Sequence, residues 1–81
     1  MHAETRNFVN DLIMEIQERY NYSLLATEGE NPEDKSFRLG SNFSYYDVLE
    51  IIQSQLNVFG FIMEEKGPIA PVLGEKIKKN R

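Results

Sequence analysis

Residues 21 to 40, NYSLLATEGENPEDKSFRLG, decide how this chain folds, because the segments flanking them both read as helix. The first part, Asn21-Tyr22-Ser23-Leu24-Leu25-Ala26-Thr27, is short and carries β-formers. It runs into Glu28-Gly29-Glu30-Asn31-Pro32-Glu33-Asp34-Lys35, turn formers and charge that read as an acidic loop over 28–35. Ser36-Phe37-Arg38-Leu39-Gly40 then alternates polar with apolar, as a half-buried strand does, so 21–40 predicts a β-hairpin. That reading makes the protein α+β, a helix, a hairpin and a long helix in order. If the segment is only loop, an all-α fold is the alternative.

Upstream, over residues 4–20, Phe8, Val9, Leu12, Ile13, Ile16 and Tyr20 recur at spacings of three and four. Asn10, Asp11, Glu15, Gln17 and Glu18 take the other side, which predicts an amphipathic helix. Met14 falls opposite the stripe.

Downstream, Ser44 with Asp47 three residues later resembles a shortened capping box, so a second helix is expected over 45–65. Val48, Ile52, Leu56, Phe59 and Met63 form its spine, flanked by Leu49, Ile51, Val58 and Ile62. The apolar arc covers about half the wheel, wider than the roughly 100° a one-sided surface helix needs. Gly60 costs about 1 kcal/mol inside a helix. The spine keeps its register across it, so a continuous helix is expected there rather than a strand over 58–63. Gln55 falls near the centre of the arc, where a polar group needs a partner. That partner is backbone of its own chain, solvent, or its own copy across a twofold axis. Gly67-Pro68 ends the element, and 66–81 reads as an extended basic tail with a solvated KIKKNR end.

Composition bounds what such a chain can be. Eighty-one residues, 41% hydrophobic and 27% charged, make one small globular domain over 1–81. With no cysteine there is no disulfide scaffold, thiolate nucleophile or sulfur-ligated zinc. His2 is the only histidine, so no second imidazole completes a metal site or a serine triad. Glu28, Glu30, Glu33 and Asp34 lack the alternating ligands and closing glutamate of a calcium loop. Residues 67–76 lack the spacing of a phosphate-binding loop. Pro68-Ile69-Ala70-Pro71 fits a PxxP pattern but reads as a stiff connector. No enzymatic activity, metal or cofactor is expected. No stretch approaches the roughly 18 apolar residues of a membrane span, and the first residues lack a secretory pattern. A soluble, cytoplasmic protein is expected, so the Asn-x-Ser matches at Asn21 and Asn42 carry no weight as glycosylation sites.

The net charge of −4 is unevenly spread. Residues 1–65 hold twelve acids against four bases, whereas 66–81 hold five bases against Glu75 alone. An acidic body repels a phosphate backbone, so direct nucleic-acid binding is not expected.

An 81-residue monomer buries little more than about 60% of its unfolded surface. One amphipathic helix and a hairpin would leave much of the second helix uncovered. The expected function is therefore a non-enzymatic protein-interaction or regulatory module acting as a homodimer, as a twofold contact is the commonest way to cover such surface. Its interface would comprise Val48, Ile51, Ile52, Gln55, Leu56, Phe59, Ile62 and Met63. The rival is an acidic inhibitor that mimics nucleic acid, using Glu28, Glu30, Glu33 and Asp34 against a basic nucleic-acid-processing protein.

Overall fold

A computed structural model of the chain describes residues 2–61 and 68–78. Among them are two α-helices, α1 (Ala3–Tyr22) and α2 (Pro32–Val58), packed against each other, and no strand. The fold is all-α, and the hairpin expected over 21–40 is not formed. Asn21 and Tyr22 finish α1, and Pro32 to Gly40 are the start of α2. Helix signals inside the supposed acidic loop explain the difference. The Asn31 side chain caps the new helix by accepting the Asp34 N–H at 2.7 Å. Pro32 takes the first turn, where its missing N–H costs nothing, and Glu33 and Asp34 meet the positive end of the helix dipole. The alternation of Phe37 and Leu39 was no strand pattern: both lie on α2 and both are exposed.

The second helix therefore starts at Pro32 rather than residue 45, and Ser44 is not its cap. Ser44 sits mid-helix, its hydroxyl donating to Gly40 O at 3.0 Å. Nor does the helix run on to residue 65. It ends at Val58, and Gly60 takes a left-handed conformation with φ +73°. Gly60 N–H donates to Asn57 O at 3.1 Å and Phe61 N–H to Leu56 O at 2.9 Å, the paired bonds of a Schellman stop. What the sequence expected of Ile62 and Met63 lies outside the described residues.

A polar knot fixes the turn between the helices. Ser23 Oγ donates to Tyr20 O at 2.7 Å. The buried Asn42 amide, reaching across from α2, donates to Ser23 Oγ at 3.0 Å and Tyr20 O at 3.3 Å. Arg38 donates to Ser23 O at 3.0 Å and grips Glu30 with two bonds of 2.7 and 3.0 Å. The hydrogen bond from Arg38 holds the Glu30 carboxyl below the usual carboxylate range, and Glu30 raises the guanidinium in return.

The segment read as an extended basic tail is, over the described residues 68–78, a strap docked on the helices, with Lys76 and Lys78 exposed. Ile69 and Ala70 belong to the buried core with Ile13, Tyr20 and Leu49. An extended chain outside a sheet must find partners for its backbone elsewhere. Here the helices supply them. Gln17 Nε2 donates to Ile69 O at 3.0 Å, while Gln53 Oε1 accepts from Ile69 N and Ala70 N at 2.8 and 3.0 Å. The Tyr20 hydroxyl donates to Glu75 O at 2.7 Å and accepts from Gly74 N at 3.1 Å. Asn21 closes the series with a two-way amide pair to Ile77, at 2.8 and 2.9 Å. Gln17, Tyr20 and Asn21 meet Ile69, Gly74 to Glu75 and Ile77 in the same order, so the strap runs parallel to α1.

Candidate functional site: the strap-free face

At 100° per residue the strap's ligands define one side of the two-helix layer. On α2, taking buried Leu49 as the inward direction, Gln53 lies about 40° to one side. On α1, taking buried Tyr20 as inward, Gln17 and Asn21 lie about 60° and 100° to the matching side. The opposite side carries Phe8, Leu12, Glu15 and Arg19 from α1, and Phe37, Ser41, Val48, Ile51 and Gln55 from α2. Nothing among the described residues covers it. Phe8 is 65% exposed, Phe37 78% and Ile51 54%, values far from those of core side chains.

At the turn end this face opens into a pocket of about 650 Å³, walled by Tyr22, Leu25, Phe37, Ser41 and Tyr45 with Arg38 and Glu30. At the other end Phe59 and Phe61 lie nearly parallel, ring centroids 6.3 Å apart, both exposed. Charge on this side is carried by the exposed Glu15–Arg19 ion pair at 3.2 Å and, around the pocket, by Glu28, Glu30, Asp34 and Arg38.

Of the interface residues expected from sequence, Val48, Ile51, Gln55 and Phe59 are exposed. Ile52 and Leu56 are half-buried and pack against the core, and Ile62 and Met63 lie outside the described residues. Gln55 is not at the centre of the inward arc. It points out, and the polar residues of α2 on the core side are Gln53, consumed by the strap, and the buried Asn42 at the turn. The four acids do not act as one cluster. Glu30 is tied to Arg38 with 9% of its side chain exposed, while Glu28, Glu33 and Asp34 face solvent. Sequence reading missed Phe37 as a surface residue of α2, and the signal was Asn31-Pro32, which moves the helix start upstream.

Among the described residues no group of three or more His, Cys, Asp or Glu is placed to hold a metal ion. The Tyr20 hydroxyl, its pKa raised chiefly by burial, is committed to the strap. No described helix is long and apolar enough to cross a membrane. Comparison with protein-family models, curated proteins and solved structures finds no match to this chain.

Proposed function

We propose that this protein is a non-enzymatic interaction module that works as a homodimer through its strap-free face. The observation that carries the reading is an apolar surface spanning both helices that the chain's own strap leaves open. Magnitudes support it. The chain exposes 6266 Å², whereas a compact folded monomer of 9.4 kDa exposes about 5000 Å². The excess over the whole chain, about 1300 Å², is larger than the roughly 800 Å² each partner loses in an ordinary specific interface. The radius of gyration, 14.2 Å, likewise exceeds the roughly 12 Å of a compact chain of this length. A face poor in charge on an acidic protein also matches the composition of interface cores. The acidic-mimic reading has weaker support, because Glu30 is engaged by Arg38.

Sedimentation equilibrium tests the proposal. The expected result is a species of twice the chain mass at micromolar concentration. A monomer throughout the high micromolar range overturns it.

A further inference from the structure

The two sides of the helical layer differ in the backbone they can receive. The strap side offers Gln17, Tyr20, Asn21 and Gln53 to an extended chain whose own peptide groups need partners. On the open side Gln55 is the one side-chain amide, and the serines Ser41 and Ser44 bring only hydroxyls. Such a face suits an occupant whose backbone is already satisfied, which is a helix.

The spacing on α2 specifies that helix further. Phe37, Ser44, Ile51 and Val58 repeat every seven residues, and Ser41, Val48 and Gln55 fall between them at the complementary positions. This is a coiled-coil seam on the outer side of α2, distinct from the inward stripe through Asn42, Leu49 and Leu56. From Phe37 to Val58 it carries no ionisable side chain, though Ser41, Ser44 and Gln55 are polar and the repeat begins on Asp34. On a straight helix a seven-residue repeat drifts by about 20° per turn of the pattern, which a left-handed supercoil with a matching helix removes.

We infer that the matching helix is α2 of a second copy, packed antiparallel with the twofold axis beside Leu49 and Glu50; this rests on the dimer reading above. In that register Val48 of each copy faces Ile51 of the other, so two apolar pairs flank the axis. Gln55 then faces Ser44, an amide beside a hydroxyl, and Ser41 faces Val58. Slipping by one repeat in one direction sets Val48 against Ser44 and Ile51 against Ser41 and loses both apolar pairs; slipping in the other keeps Val48 against Val58 but sets Ile51 against Gln55 and shortens the paired helix to residues 48–58. A parallel pairing brings the acidic starts of both α2 helices together, with Glu28, Glu33 and Asp34 of each copy at one end and both helix dipoles aligned. Seating α2 on the second copy's α1 sets the seam against the Glu15–Arg19 ion pair.

The chain has no cysteine, so Lys35→Cys and Ser54→Cys place one spin label each on exposed positions of α2 outside the seam. Dipolar spectroscopy on the full chain reads their separation. At 1.5 Å per residue the antiparallel dimer puts labels at 35 about 45 Å apart and labels at 54 about 17 Å apart. Similar separations at both positions overturn the antiparallel pairing and leave the dimer standing. Oxidation of mixed Val48→Cys and Ile51→Cys chains gives an independent reading, with the mixed disulfide expected to outnumber the like-with-like ones. A like-with-like preference also overturns the pairing. If the unlabelled chain sediments as a monomer and no coupling is seen, the pairing and the dimer fall together.

Discussion

The strap side and the open side of the helical layer are built from the same two helices, yet they solve different problems. On the strap side, polar side chains sit where an extended segment needs hydrogen bonds, and the strap's apolar contribution is Ile69 and Ala70 in the core with Ile77 packed against it. On the open side the apolar residues are larger and more numerous but have no segment of their own chain above them. Polar anchors specify one partner in one register, whereas an apolar face specifies area and periodicity. The strap side therefore holds the fold, and the open side is the one the proposed association would use.

Substitutions can test whether the sides are separable, and the largest effect on stability is expected beneath both. Leu49 is fully buried, so Leu49→Ala should cost about 2–5 kcal/mol in urea unfolding. A loss below about 1 kcal/mol would mean that strap and helices share no core. Next comes Tyr20→Phe, which deletes the hydroxyl serving Gly74 N and Glu75 O. The expected cost is about 1–3 kcal/mol, with faster amide exchange at Gly74 and unchanged dimerisation. Altered dimerisation would show the sides to be coupled. Asn31→Ala removes the cap of α2, on which both sides depend, and should cost about 1 kcal/mol.

Acid should act on the turn. The Glu30 carboxyl lies below its ordinary value of about 4.3, held there by the Arg38 hydrogen bond. Its contribution is present above that ordinary value and is lost as pH falls through the lower folded one. Replacing Glu30 with Gln should flatten stability between those two values, as seen in denaturation series at stepped pH. The smallest change in monomer stability, within about 0.5 kcal/mol, is expected for Val48→Asp, which alters an exposed site. The same variant should weaken self-association at least tenfold by sedimentation. If both quantities stay put, the open side has no role in association.

Much of α1 was legible in sequence, because Val9, Ile13, Ile16 and Tyr20 carry a helical period long enough to outweigh local exceptions such as exposed Phe8 and Leu12. The start of α2 was also written in the chain, in Asn31-Pro32-Glu33-Asp34. Those residue types serve turns and helix starts alike, and the five-residue alternation after them was too short to choose between the two. The helix wheel misplaced Gln53 and Gln55 for a related reason. An arc drawn from apolar residues alone cannot tell a side buried by the chain from one open to a partner. The strap was illegible, since it has no period of its own and is docked on α1 by side chains 52 to 56 positions away in sequence and on α2 by Gln53, 16 and 17 positions away.

Those long separations bear on the order in which the molecule assembles. The turn contacts of Ser23, Arg38 and Asn42 span 15 to 22 residues, so the helical hairpin closes a short loop and forms early. Before it forms, bringing Ile69 to Gln17 closes a loop of more than fifty residues. Once it has formed, the loop left to close is the 16 residues from Gln53 to Ile69, and that closure entropy is much smaller. Docking of the strap on α1 is thus a late event, and the hydrogen bonds of Gln17, Tyr20 and Asn21 to it are largely absent from the folding transition state. Their energy slows unfolding rather than hastening folding. The carboxyl-terminal segment acts as a latch on lifetime: it sets how long the finished molecule persists while leaving the rate at which it first appears to the hairpin.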